Sequence, residues 1–415
     1  MRFAQSVSAV AVAMMLALPA GAFEPVGASS FNVRTNFDPK AVTHQTFEAT
    51  LLGPARAGGP AVFYDLAESF TPLFTEIVIP AFERATGIKV EYRQVNGDQT
   101  VQQLIAAQRA GQPLHVDLMW YPNGQVRLGT ETGIIANIPL SSVLPNARDL
   151  DPSAARVSRG YEHGGTVLPW HRNLTAIGYD TRTVRPERAP RSFPDLLAFA
   201  RANPGKVAIT NPARGGSGQG FLESAIMAMT TAECQARLFD FSFGPQDAEA
   251  WAQGPCLAPV VAYFRELKPH VEFTNGNTDT LNLIANGVAQ VATVWEDQVF
   301  DFIGRGLLPP TVRLGLLSSG QVGDGDGMVI PAGTRNPAGA LLFANFLMSD
   351  DVQVRKLGLV GSRTARVGVN VSALAADVAE RLVPQDQVVT LSRKRIVATA
   401  SAEATKRFVA DVLQR

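Results

Sequence analysis

Val207-Ala-Ile-Thr-Asn-Pro-Ala-Arg-Gly-Gly-Ser-Gly-Gln-Gly-Phe-Leu-Glu-Ser-Ala-Ile226 is the stretch on which the reading of this chain turns. Val207 to Thr210 is a short apolar, β-branched run, Asn211-Pro212 breaks it, four glycines follow between 215 and 220, and an apolar helical pattern resumes at Phe221. A strand, a glycine-rich turn and a helix start predict backbone N–H groups without internal partners at the turn and first helical turn. Those donors and the positive end of the helix dipole suit an anionic or polar ligand. The plainer reading is a tight turn whose glycines permit φ > 0; the stretch alone does not choose. Gly215-x-Ser217-x-Gln219 lacks the second glycine of a nucleophile elbow, and no Lys-Ser/Thr follows the glycines as a Walker loop requires.

Strands and helices alternate on both sides of this stretch. Upstream, Ala61-Val-Phe-Tyr-Asp-Leu66, Ile88-Lys-Val-Glu-Tyr-Arg93 and Val116-Asp-Leu-Met-Trp120 read as strands. Helices are expected between them, from Pro72 to Gly87 and over Thr100–Ala110. Thr166 to Tyr179 opens a second unit, followed by a helix over Ser192–Asn203 with Ser192 as N-cap. Downstream come a helix over Asp279–Ala285, a strand Ala289–Trp295, and Gly325–Ile330 as a strand able to return to the first sheet. Helices are expected over Asn336–Met348 and Asp351–Leu357, then a mostly helical tail. This is an α/β chain of two lobes, each a sheet flanked by helices. In open α/β sheets ligands bind beyond the carboxyl ends of the strands, so two facing lobes define one cleft that closes by a hinge.

The chain has 415 residues, 46% hydrophobic and 18% charged, with zero formal net charge. At roughly 100 to 200 residues per domain this is two or three domains, and no electrostatic footprint for nucleic acid is visible. Residues 1–22 read as a cleaved secretory signal: Arg2, an apolar run from Val7 to Leu18, then Ala20-Gly21-Ala22. No cysteine lies near that site to carry a lipid anchor, and the expected location is periplasmic. Cys234 and Cys256, an even pair in an exported chain, are expected to form a disulfide.

The residues at the strand ends are the candidate ligand contacts. They are Glu68 and Ser69, Trp120, Tyr121 and Asn123, Trp170 and Arg172, Arg214 and Ser217, Asn277, Trp295 and Glu296, and Asp324. Three of the four tryptophans are among them, and aromatics with a few convergent polar groups are what a small-ligand cleft needs. The tryptophans beside Glu68, Glu296 and Asp297 suit an organic cation. Arg172, Arg214 and the glycines suit phosphate, phosphonate or carboxylate. Both readings stay open. The five histidines, His44, His115, His163, His171 and His270, show no metal-ligand spacing, and Asp324-Gly-Asp326-Gly-Met328 lacks the further ligands of a calcium loop. No metal, cofactor or catalytic set is expected.

Several stretches resemble extracellular solute-binding proteins of ABC importers. They are Phe63 to Phe70; Ala81-Phe-Glu-Arg-Ala-Thr-Gly-Ile-Lys-Val90, similar to the family's F-E-x-x-T-G-I-x-V segment; and Val116-Asp-Leu-Met-Trp120. Leu168-Pro-Trp170 with Ile177-Gly-Tyr-Asp180, and Gly327-Met-Val-Ile-Pro-Ala-Gly-Thr334 with the helix Ala338–Met348, continue the likeness in the family's order. Pro190–Leu197, Asn203–Lys206 and Gly215–Leu222 resemble the subgroup of polyamine, thiamine and iron binders. The adjacent tyrosines of the iron binders are missing, since only Tyr179 and Tyr263 lie beyond residue 161. The resemblance implies the type II periplasmic-binding fold, capture of a small polar solute, cationic or phosphorylated, by hinge closure, and delivery to an inner-membrane permease and its ATPase. A monomer without cofactor, metal or nucleic-acid partner is implied. The division expected is signal 1–22, N-terminal arm 23–58, first lobe 59–168, second lobe 169–320, return to the first lobe 321–365 and helical tail 366–415. The alternative is an exported enzyme or a sensory protein using the same cleft, with Glu68, His171 and Glu296 as the catalytic suspects.

Overall fold

Parallel strands that are apolar throughout must be covered on both faces, and the two sheets of this chain obey that. The computed structural model describes residues 31–372 and 374–414, apart from the side chains of Pro152, Ser153 and Asp324. The expected signal, residues 1–22, lies outside the described residues. The strands in chain order are β1 (Ala61–Asp65), β2 (Val90–Gln94), β3 (Leu118–Tyr121), β4 (Val157–Ser158), β5 (Tyr161–Glu162), β6 (Leu168–Pro169) and β7 (Asn173–Asp180). Next come β8 (Val207–Thr210), β9 (Val271–Thr274), β10 (Val291–Trp295), β11 (Val312–Gly315), β12 (Gln321–Asp324), β13 (Gly327–Val329) and β14 (Ser392–Arg393). The first lobe holds a five-stranded sheet in the order β2-β1-β3-β13-β6; the second holds a seven-stranded sheet, β14-β12-β7-β10-β8-β9, with β11 also on β7. β1, β2 and β3 run parallel, and β13 and β6 close that sheet antiparallel.

Buried Asp117 ties the first lobe to its returning segment. Its Oδ2 accepts from the Val62 N–H at 2.8 Å, and its Oδ1 accepts from the Thr334 hydroxyl and the Arg335 and Asn336 N–H groups at 2.8–2.9 Å. Asn336 caps the helix Pro337–Leu347 by accepting from Gly339 N, and its amide donates to the carbonyls of Ala55 and Gly59. That amide docks the helix Phe47–Ala57 onto the lobe, with Phe47, Leu51 and Ala55 buried. The last third of the expected N-terminal arm is thus part of the first lobe's core, because its apolar stripe at helical spacing needs a partner face.

Two boundaries differ from the sequence expectation. β12 pairs with β7 in the second sheet, so the return to the first lobe falls at Gly325-Asp326 and not at 321. The tail is not helical throughout: β14 adds a strand beside β12, and the helix Ala398–Phe408 buries Ala400, Ala404 and Phe408 in the second lobe's core. A two-residue strand is too short to show periodicity. Cys234 and Cys256 are bonded to each other in the second lobe, with Cα atoms 5.5 Å apart.

The glycine stretch also differs. The helix begins at Gly216, five residues before Phe221, so three glycines lie in its first turns. A Cβ at Gly218 would stand 1.9 Å from the Thr210 carbonyl oxygen, and one at Gly220 would stand 2.5 Å from Thr175 Cγ2. These glycines bring the helix down onto the strand ends, a steric role in which no phosphate is needed.

Candidate functional site

Three segments cross between the lobes and hydrogen-bond side by side. The N–H groups of Trp170 and His171 donate to the Asp326 carbonyl at 3.1 and 3.0 Å, and Arg363 N donates to the Arg172 carbonyl at 2.8 Å. The first two strands lie so close that a Cβ at Gly325 would stand 1.8 Å from the His171 carbonyl oxygen. The buried Lys356 ammonium donates to the carbonyls of Trp170 and Arg363 and sits 4.5 Å above the Trp170 ring. Burial, reinforced by the Arg172 charge, pushes its pKa well below the usual lysine value.

Between the lobes, beyond the carboxyl ends of β3 and β12, lies a cavity of about 310 Å³. Asn123, Pro169 and Gly327 line it from the first lobe, and Phe239, Gly323 and Arg395 from the second; His171 and Arg172 form its hinge side. The remaining wall is the hairpin β4–β5, paired Val157 to Glu162 and Ser158 to Tyr161. Its two loop residues, Arg159 and Gly160, have φ of 47° and 83°, the left-handed pair that a two-residue turn needs to match strand twist. Among the described residues Arg159 is the non-glycine at positive φ, a conformation costing about 1–2 kcal/mol for an L residue.

Of the residues singled out from sequence, the structure brings Asn123 and Arg172 to this cavity. Asn123 N donates to Asp326 Oδ1 at 2.8 Å, and Arg172 Nη1 lies 3.7 Å from Asp151 Oδ2. The others, Asp324 aside, lie away from this cavity. Trp120, 1% exposed, and Trp170, 0% exposed, pack with Phe70 and Phe74 inside the first lobe. Tyr121 is buried on the opposite face of β3, among Met119, Ile135 and Val329, and burial raises its hydroxyl pKa. Trp295 is turned under the helix Gly216–Met229, where a Cβ at Gly216 would stand 3.1 Å from its Nε1. The Ser217 hydroxyl donates to Asn277 Oδ1 at 2.8 Å, as does its N–H at 3.2 Å, so the two satisfy each other. Glu68, Ser69 and Arg214 are exposed and do not line the cavity. Asp324 is placed by its backbone opposite Asn173; its side chain lies outside the described atoms.

Glu296 is likewise away from the cavity lining. Its carboxylate takes Arg363 Nε and Nη2, both at 2.7 Å, and Val383 N at 2.6 Å, and it is fully buried. Beside it, Asp297 lies 3.6 Å from His171 Nε2, and burial with the Glu296 charge raises its pKa to about 7 against the opposing Asn173 hydrogen bond. With Glu296 sealed and Glu68 elsewhere, the suspected catalytic trio is not assembled. Sequence reasoning missed Arg159, Lys394 and Arg395. The first had a usable signal, an x-Gly pair between two short alternating runs; the other two follow the short strand β14 and had none.

Residues 78–381 match the family described as bacterial extracellular solute-binding protein. The chain belongs to that family. Its curated relative Protein YnjB of Escherichia coli (strain K12) is 28% identical over 246 residues, 58% of this chain, and the chain spans 61% of that relative's length. Among solved structures, this solute-binding protein is similar to the spermidine/putrescine ABC transporter substrate-binding protein PotD of Streptococcus pneumoniae. The TM-score is 0.65 at 14% identity, covering 86% of this chain and 99% of that one. It is also similar to the periplasmic binding protein AfuA of Actinobacillus pleuropneumoniae, solved with fructose-6-phosphate, with a TM-score of 0.54 at 17% identity over 86% and 99% of the chains. The likeness is one of fold, the two-lobed type II architecture with a cleft between the lobes.

Proposed function

We propose that this protein is the substrate-binding component of an ABC importer and captures a small organic solute bearing an anionic group in the cavity between its lobes. The observation that supports the charge is the lining: Arg159, Arg172, Lys394 and Arg395 are cationic, against one described carboxylate, Asp326. Asp326 Oδ1 already accepts from Asn123 N. The aromatic rings that attract an organic cation are few there: Phe239 and His171 line the cavity, while Trp120, Trp170 and Trp295 are packed elsewhere. The fold is neutral on this point: it houses a protein named for polyamines and one solved with a sugar phosphate. The protein works in the periplasm as a monomer, exported by a cleaved signal, and hands the solute to a permease driven by an ATPase. Among the described residues no helix is long and apolar enough to cross a membrane.

A thermal-shift panel on ligand-stripped protein tests the reading, with phosphate esters, phosphonates and carboxylates in one arm and polyamines and thiamine in the other. A ligand at 100 times its Kd adds about 2.7 kcal/mol, a clear rise in melting temperature. The rise is expected in the anion arm; a rise confined to the polyamines overturns the charge assignment.

A further inference from the structure

The hairpin β4–β5 belongs to the first lobe and its tip meets the second. The preceding helix residue Ala155 lies in the first lobe's core, and Tyr161 packs on it. At the tip, a Cβ on Gly160 would stand 2.4 Å from Val397 Cγ1 and 3.5 Å from the backbone of Phe239 and Phe241. The Tyr161 and Phe241 rings meet edge-on at 5.0 Å, and the Arg127 guanidinium of the first lobe lies 4.8 Å from the centre of the same Phe241 ring. Phe239 and Phe241 keep 43% and 38% of their surface exposed, as an apolar seat that is covered only in part.

Arg159 faces two ways from that tip. It lines both the main cavity and a smaller one of about 110 Å³ beside Phe241 and Thr399. Its Nη2 reaches Glu223 of the second lobe at 3.4 Å. Glu223 already takes Arg395 at 3.0 and 2.6 Å, the Ser401 hydroxyl at 2.5 Å and Ile396 N at 3.3 Å. Arg159 is therefore the longest of its partners, and it can turn to an anion in the cavity without leaving a buried carboxylate unpaired.

We infer that the β4–β5 hairpin is the latch by which the first lobe docks on the second, and that Arg159 is the positioning residue that strengthens the latch when an anion occupies the cleft. The role of Arg159 rests on the proposed anionic solute; the latch does not. The docked tip excludes any side chain at 160, and an anion held by Arg159 of the first lobe and Arg395 of the second, both lining the cavity, joins solute and both lobes in one network. A solute without an anionic group offers Arg159 nothing and leaves the lobes to the weaker apolar contact.

The test is hydrogen–deuterium exchange of residues 239–245 in the whole, ligand-stripped protein, with and without inorganic phosphate as the anion probe. Gly160→Ala is expected to speed exchange there at least about threefold while the second-lobe core stays protected. Arg159→Asn suits the turn better and is expected to leave phosphate-free exchange within about twofold, but to lose the slowing that phosphate causes in the wild type. Arg159→Lys should restore it. Unchanged exchange in Gly160→Ala overturns the latch. Slowing by phosphate in Arg159→Asn equal to wild type overturns the role of Arg159. If phosphate slows exchange in no form, wild type included, the anionic reading of the cleft falls with the Arg159 role, and the Gly160→Ala result still decides the latch.

Discussion

Two arginine–glutamate pairs join distant parts of the chain beside the same hinge, and they are built for different ends. Glu296, at the start of the helix Glu296–Gly304, is held by Arg363 of the third crossing segment, and that arginine also reaches Gln385 and the Val383 carbonyl. Val383 is buried and Gln385 exposed, and neither member of the pair lines the cavity beside the β4–β5 hairpin, although Arg363 borders a second one of about 460 Å³. Glu223 is held by Arg395 of the tail, and here the arginine lines the cavity, with Arg159 as an additional cation on the buried carboxylate. Burial is comparable, with Arg363 8% and Arg395 9% exposed. The difference is what the other side of the arginine touches. A carboxylate held by one arginine, which also bonds a backbone carbonyl, fixes the geometry of the joint, whereas a carboxylate shared by two arginines stays paired when one of them turns to a ligand.

The largest effect should come from breaking the enclosed pair. Arg363→Met leaves Glu296 charged and buried, a situation costing about 3–5 kcal/mol, measured by urea unfolding. Adding Glu296→Leu should recover most of it, and a loss below about 1 kcal/mol would place this pair among ordinary surface bridges. Trp170→Ala should cost a similar amount, about 3–5 kcal/mol, since the ring lies in the first lobe's core and not in the cleft. Unaltered stability with lost solute binding would return Trp170 to the site.

Proton linkage sharpens the contrast around Glu296. Asp297, facing Glu296, Asn173 and His171, holds its proton to about pH 7, against an ordinary value of 3.8. The folded state then binds more protons than the unfolded one between those values, and stability falls as pH rises through the window. His163 is the reverse: burial, with the Arg156 charge, lowers it from 6.5 to about 4, so it adds stability above 6.5 that is lost as pH falls toward 4. Each contributes at most about 1.4 kcal/mol per pH unit, with opposite sign. Asp297→Asn should make stability rise more steeply with pH, and His163→Gln should make it fall, both read from melting temperatures between pH 4.5 and 6.5. Parallel curves for the two variants would exclude the assignment.

The smallest effects on stability belong to the open wall. Arg172→Ala and Lys394→Ala should each change unfolding free energy by less than about 1 kcal/mol, yet weaken anion binding at least about tenfold, or about 1.4 kcal/mol. A large stability loss with unchanged binding would make the wall structural, like the Arg363 pair.

Reading the sequence located the elements better than the faces they present. Ser192 does cap its helix by accepting from Asp195 N, and Gly325–Ile330 does contain the strand that returns to the first sheet. Cap and turn chemistry are decided within a few residues. The tryptophans misled for a different reason. Trp120 lies one residue from the end of a strand buried at all four positions, and Trp295 ends one buried at all five, so each ring goes wherever the neighbouring elements leave room. Arg395 carried no local signal, because its partner Glu223 lies 172 residues away.

The alternation of strand and helix, the two-lobed class and the family segments are legible along the chain, because periodicity, caps and turns are local properties. Contacts in three dimensions settle which polar side chains share the cleft, that Glu296 is sealed by Arg363 while Arg395, the partner of Glu223, lines the cavity, and that the helix Ala398–Phe408 packs in the second lobe. Those outcomes depend on contacts between residues far apart in the chain, and a charge looks the same in sequence whether its partner is a distant arginine or a solute.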